Sequence, residues 1–244
     1  MPGVEGVATR RSALIGFASG FVVRRRAWAS PSFDAYAGKA SNRIRFERPK
    51  EWTTAVDRVY DADASVSYGG NTISLIGNFK SVDTIAVRVE RASRTAMEAG
   101  KRGDATGVAE ALTAAERDAV ANGGLVGVIG GVEGGQTGTI GFDLDPTVTM
   151  REDGVSGRRY FTYAYETKVC RGSIDEEGLG GTRTCVGPKG DVLPIIERKN
   201  ACVVTFVGDR VVKLHASAVT SRFNEPEVQE IMNRAVETFT LDVV

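Results

Sequence analysis

The run from Ala201 to Val219 constrains the fold more than any other part of the chain. Ala201 to Val207 and Arg210 to Val219 are two strand-like stretches separated only by Gly208-Asp209, the pattern of a β-hairpin with a tight turn. A two-residue turn fixes the register. Val207 then pairs with Arg210, and Cys202 falls opposite His215. Residues opposed in this way share a face with Cβ atoms about 5 Å apart, which makes a thiolate–imidazole pair geometrically possible. Catalysis by such a pair needs a third orienting group and a cleft, and a metal needs further ligands. The plainer reading is a packed thiol beside a polar-face histidine, and no catalytic residue is assigned.

Other strands follow from the same period-2 logic. Ile85, Val87 and Val89 alternate with Ala86, Arg88 and Glu90, and Thr72 to Ile76 is a partner strand. Arg159 to Val169, rich in Tyr and Thr, is expected to pair with Ala201 to Val207, and a further strand is expected around Thr139 to Asp143. Tyr160, Tyr163 and Tyr165 read as sheet packing in preference to a ligand cage. Val108, Ala111, Leu112, Ala115 and Ala119 recur at helical spacing and stop at Gly123-Gly124. A last helix carries Val228, Ile231, Met232, Ala235, Val236 and Phe239 as one apolar stripe. Its start is marked by Asn224-Glu225-Pro226-Glu227, with acids where the helix dipole favours them. Strands with helices at intervals and at the end predict an α+β fold, an antiparallel sheet covered by helices.

Residues 9 to 29 read as a targeting leader. Arg10-Arg11 precede an uncharged stretch of about a dozen residues, too short to span a bilayer, which takes about 20. Ala27 and Ala29 then give an A-x-A cleavage signal before Ser30. The paired arginines resemble a twin-arginine signal, so the chain divides into a leader over 1–29 and a globular domain over 30–244. The formal net charge of zero hides an asymmetry: without its first 29 residues the chain keeps 26 basic and 30 acidic side chains. A mildly acidic body argues against bulk nucleic-acid binding, which needs a net basic face.

Three cysteines and one histidine leave too few ligands for a structural zinc site. Gly123 to Gly141 holds nine glycines in nineteen positions but no phosphate-cradling motif, and reads as a flexible connector. A disulfide is expected between Cys170, which closes the Tyr-rich strand, and Cys185, which follows a polar stretch with no periodicity to hold it. Three free thiols, or a bridge to Cys202, are the alternatives.

Several segments together resemble one family. Ile44 to Trp52 (IRFERPKEW) resembles the opening strand and P-x-x-W turn of PsbP, an oxygen-evolving enhancer protein of photosystem II. Gly77-Asn78-Phe79-Lys80 with Ile85 to Val89 is similar to its "NF" loop and next strand. Gly157 to Tyr163 resembles its "G-K-x-Y-Y" strand. Val207 to Val211, Ser221-Arg222-Phe223 and the final helix are similar to its C-terminal hairpin, corner and closing helix. The resemblance runs in order from about Phe33 to Val244, and the twin-arginine leader agrees with it. The long segment from Cys170 to Lys199 resembles algal members.

The resemblance implies an α–β–α sandwich around a central antiparallel sheet and no enzymatic activity. It implies an extrinsic subunit in the chloroplast thylakoid lumen, peripheral on the membrane, whose partners are the photosystem II core and other extrinsic lumenal subunits. There it would help to retain calcium and chloride at the manganese cluster, indirectly and with no cofactor bound tightly. Two alternatives remain: a PsbP-like or PsbP-domain assembly factor of the photosystem, and a lumenal module binding a small ligand or ion. Plant members carry a histidine where the strand here begins Lys199-Asn200-Ala201 and an aspartate near Thr220. Neither is present, so no metal site is implied. Lys39, Arg43, Arg45, Arg48 and Lys50 put five cations in twelve residues. This is either a solvated face balanced by Glu47 and Glu51 or an electrostatic docking patch for acidic lumenal surfaces.

Overall fold

The computed structural model describes residues 31–37, 43–58, 71–121, 138–175 and 183–242. The leader expected over residues 1–29, Lys39, and the glycine-rich stretch as far as residue 137 lie outside the described residues. The chain runs β1 (Phe33–Tyr36), β2 (Ile44–Pro49), β3 (Thr53–Asp57), β4 (Asn71–Asn78), β5 (Asp83–Arg91), α1 (Arg94–Arg102), α2 (Ala105–Leu112), α3 (Ala114–Ala121) and β6 (Gly138–Leu144). It continues through β7 (Thr149–Glu152), β8 (Arg159–Cys170), β9 (Ser173–Asp175), β10 (Thr184–Val186), β11 (Ile196–Val207), β12 (Arg210–Val219), α4 (Thr220–Phe223), α5 (Pro226–Thr238) and β13 (Thr240–Leu241).

The β11–β12 hairpin forms with Val207 opposite Arg210 and Cys202 opposite His215. Gly208 takes φ +59° at the first turn position, a conformation open to glycine at no steric cost. This hairpin is the centre of an antiparallel sheet ordered β3-β4-β5-β12-β11-β8-β6, and β7 pairs with the first half of β8 alongside β6. The central order joins β5 to β12 although more than a hundred residues separate them, as the Glu90–Lys213 contact across 123 positions shows.

Because side chains alternate along a strand, the sheet has two faces, and each is covered differently. Ile85, Val87, Val89, Val203, Val212 and Leu214 point to one core, closed by Val228, Ile231, Met232, Ala235 and Val236 of α5 and by Phe239 just after it. Beside α5 lies a small sheet, β1-β2-β13, which adds Tyr36, Ile44, Phe46 and Leu241 to the same core. Trp52 is buried there too, its amide donating to the Pro49 carbonyl at 3.2 Å to close the turn after β2. On the opposite face Phe161, Tyr163, Tyr165, Cys202, Val204 and Val211 pack under α1 to α3. The result is an α–β–α sandwich around an antiparallel sheet.

The helix read over Val108 to Ala119 is two helices. Thr113 breaks it: its hydroxyl donates to the Ala109 carbonyl at 2.8 Å, and its backbone leaves the helical region at φ −111°, ψ 6°. Helix α1 precedes them, capped by Ser93, whose Oγ accepts from the Ala96 amide at 3.1 Å. Asp104 caps α2 in the same way through the Gly107 amide at 2.9 Å. Helix α5 begins with Pro226 in its first turn and carries Glu227 there, as its sequence predicts.

Candidate functional site

On the face of the sheet covered by α1 to α3, polar residues are interspersed among apolar ones across β5, β12, β11 and β8. Arg88 and Glu90 on β5, Lys213, His215 and Ser217 on β12, and Asn200 on β11 all lie on this side, as register and alternation require. Asn200 is the hub. Its Nδ2 donates to the Tyr165 carbonyl at 3.3 Å and to Thr167 Oγ1 at 3.4 Å. That orientation leaves Oδ1 to accept, from Ser217 Oγ at 2.7 Å and from His215 Nε2 at 3.0 Å. The imidazole proton therefore sits on Nε2. The Tyr165 ring lies parallel to the imidazole, centroids 6.2 Å apart.

Burial, helped by the Lys213, Arg88 and Arg198 cations, pushes the His215 pKa down to about 3. Burial pushes Cys202 up to about 12, against the pull of Lys213 and a hydrogen bond from Tyr163. Burial also raises Tyr163 and Tyr165. Lys213 is the exception: burial lowers its pKa most, but Glu90, with a carboxylate oxygen 3.1 Å away, together with Cys202 and Glu116 outweighs it and holds the ammonium charged. At neutral pH the cluster is thus a protonated thiol beside a neutral imidazole. A thiolate nucleophile needs a depressed pKa and an activating base, and this pair has the reverse of both. Among the described residues no group of three or more His, Cys, Asp and Glu side chains is placed to hold a metal.

The cationic segment is largely paired within the molecule. Arg45 Nε meets Asp242 at 2.7 Å and Lys50 Nζ meets Asp34 at 3.4 Å, both pairs exposed. Arg48 turns back onto its own loop, donating to the Trp52 carbonyl at 3.3 Å and to Thr54 Oγ1 at 3.0 Å. Arg43 is exposed at the start of β2, and Glu47 binds Arg234. Cys170 and Cys185 are joined by a disulfide with Cα atoms 5.4 Å apart, and Cys202 is the buried free thiol.

Tyr163 and Tyr165 lie together on the helix-facing side, but Tyr160 points the other way. Its offset of three residues from Tyr163 places it in the α5 core, edge-on to Phe239 at 6.1 Å, with the Arg151 guanidinium over its ring at 4.2 Å. The network role of Asn200 and Ser217 goes unread in the sequence. Its signal is the polar residue at every second position, Arg198-x-Asn200-x-Cys202 and Lys213-x-His215-x-Ser217, with Asn200 opposite Ser217 and Cys202 opposite His215.

No protein-family model and no curated protein matches the chain. Among solved structures the chain is similar to the solution structure of cyanobacterial PsbP (CyanoP) from Synechocystis sp. PCC 6803. The identity is 15%, over 88% of this chain and 96% of that one, with a TM-score of 0.41. A likeness at that level bears on neither activity nor partner.

Proposed function

We propose that the protein is a non-catalytic, PsbP-like extrinsic subunit that docks on the lumenal side of photosystem II and acts from that position on calcium and chloride retention. The observation that carries this reading is where the family-like segments fall. Gly77 to Val89 forms the β4–β5 hairpin, Gly157 to Tyr163 opens β8, and Val207 onward forms the turn and second strand of the β11–β12 hairpin. These strands are neighbours, β4-β5-β12-β11-β8. The fourth segment, Ile44 to Trp52, closes over the same core through Trp52. Segments matched separately in sequence are thus contiguous in space, as a shared architecture requires.

Docking through Arg43, Arg45, Lys50 and Lys39 is compatible with the internal pairs. Exposed ion pairs are worth about 0–1 kcal/mol each, so Arg45 and Lys50 exchange Asp242 and Asp34 for an acidic partner surface at little cost. Among the described residues no helix is long and apolar enough to cross a membrane. The test is whether the protein co-purifies with isolated oxygen-evolving photosystem II. Stoichiometric recovery supports a resident subunit, recovery only with incomplete complexes supports the assembly-factor reading, and recovery with neither overturns the proposal. A ligand module built on the Tyr-rich face is the weaker alternative, since Tyr163 and Tyr165 are buried beneath the helices.

A further inference from the structure

A cavity of about 350 Å³ opens between the end of α1, the turn from β7 to β8 and the tip of the β11–β12 hairpin. Pockets that hold small ligands begin at about 300 Å³. Its floor is apolar: Phe161 and Phe206 meet edge to face at 5.9 Å, with Met97 beside them. Phe206 lies so close to α1 that a Cβ on Gly100 would stand 2.6 Å from its ring. The floor is therefore shaped by the absence of a side chain there.

The mouth is cationic, and its charges are not all in use. Arg159 is occupied, by Glu152 at 3.6 Å and by the Lys101 carbonyl at 3.0 Å. Lys101 is exposed at the last turn of α1 and has no carboxylate within salt-bridge distance among the described residues. Arg158 gives one Nη1 hydrogen bond to the Phe206 carbonyl at 3.4 Å, while its Nε is buried with no partner. Arg91 and Lys168, by contrast, meet Asp209 and Glu197. Two uncompensated cations at one apolar cavity set this place apart.

We infer that this cavity binds an organic anion with an apolar body, its hydrocarbon or aromatic part on Phe161 and Phe206 and its carboxylate, sulfonate or phosphate group between Lys101 and Arg158. An apolar floor alone takes any hydrocarbon, and exposed cations alone hold a bare anion only weakly through solvent screening. The combination selects a molecule that carries both. The same chemistry is offered by a free amphiphile and by the headgroup region of an anionic lipid. The site lies on the opposite side of the sheet from the β1-β2-β13 sheet and does not depend on the proposed docking function.

The probe is 8-anilinonaphthalene-1-sulfonate, titrated by fluorescence into the folded domain. Saturable one-to-one enhancement is expected, displaced by decanoate and not by equimolar inorganic phosphate. The variant Lys101→Glu/Arg158→Glu should bind at least tenfold more weakly while keeping its circular dichroism and thermal midpoint. Lys101→Glu alone, at an exposed position, should weaken binding several-fold and serves if the double variant is unfolded. Sedimentation with phosphatidylglycerol vesicles, against phosphatidylcholine, separates the sources. Co-sedimentation lost in the variants assigns the site to a bilayer lipid, and binding of the soluble probes alone assigns it to a free amphiphile. Displacement by phosphate alone, unchanged affinity in the charge variants, or no binding of probe and vesicles would each overturn the inference.

Discussion

At the scale of single residues the structure stores two liabilities, one electrostatic and one conformational. His215 is held neutral, its pKa about 3 in the fold against 6.5 unperturbed. The unfolded chain therefore takes up this proton first as pH falls. The stability tied to His215 is fully present above pH 6.5 and is lost progressively from there down towards pH 3. The slope is at most about 1.4 kcal/mol per pH unit, so denaturant unfolding at pH 5 should show a loss approaching 2 kcal/mol relative to neutral pH. His215→Gln should remove that slope; if the variant and the natural protein fall in parallel, the imidazole is solvated in the fold. The second liability is Val82, at φ +61° with its side chain 43% exposed. A β-branched residue held there costs about 1–3 kcal/mol, and glycine's added unfolded-state entropy returns about 0.5–1 kcal/mol of that. Val82→Gly should therefore raise the unfolding free energy, by about 0–2.5 kcal/mol; a fall would mean that the valine packs usefully in spite of its exposure. Cys202 facing His215 was legible because a two-residue turn permits only one register. Val82 was not, since nothing in Lys80-Ser81-Val82-Asp83 marks a left-handed backbone. That conformation is imposed by the groups around it: Arg198 Nη2 on the Val82 carbonyl at 2.9 Å, and the Arg222–Asp83 pair at 3.0 Å beside it.

At the scale of elements, legibility followed length and periodicity. β5, β8, β11 and β12 declare themselves because their alternation is sustained and half-buried. Helix α1 does not, because its buried residues are only Ala96, Ala99 and Gly100, too small to draw an apolar stripe; its usable signal is the Ser93 cap. β13 is two residues long and exists through its pairing with β2, so no local pattern announces it. The disulfide acts on elements that need it. β9 and β10 pair through three residues a strand, with one further bridge from Val186 to Val192, and a ribbon that short is not independently stable. Cys185 on β10 is joined to Cys170 at the end of β8 across a separation of 15 residues. In the chain-entropy account a loop of that size contributes about 3 kcal/mol. Cys170→Ser/Cys185→Ser should lower global stability by about that amount and expose the 171–195 region to proteases first. A variant as stable as the natural protein would show that the loop holds without its crosslink.

At the scale of the whole molecule, sandwich architecture was legible but strand order was not, since it is set by pairings that no local pattern encodes. The docking proposal belongs here as well. If the β2 segment holds the protein to an acidic surface, moderate salt should release it from thylakoid membranes, because exposed charges are screened beyond about 8–10 Å at physiological ionic strength. Arg43→Glu/Arg45→Glu is the clean variant, because Arg48 also braces the Trp52 turn. It should rebind stripped membranes more weakly with an unchanged unfolding midpoint, and undiminished rebinding would assign these arginines to ordinary solvation. The β5–β12 junction has a consequence for how the protein is made. While the ribosome is still adding β11, β5 has β4 on one side and an open, apolar hydrogen-bonding edge on the other. Such an edge invites pairing with other chains. The nascent chain cannot close its own sheet until β12 has emerged, and contacts this distant in sequence form slowly, over milliseconds to seconds. Closure of the sheet therefore waits on synthesis, and the β5 edge that carries Ile85, Val87 and Val89 stays without its β12 partner during the interval.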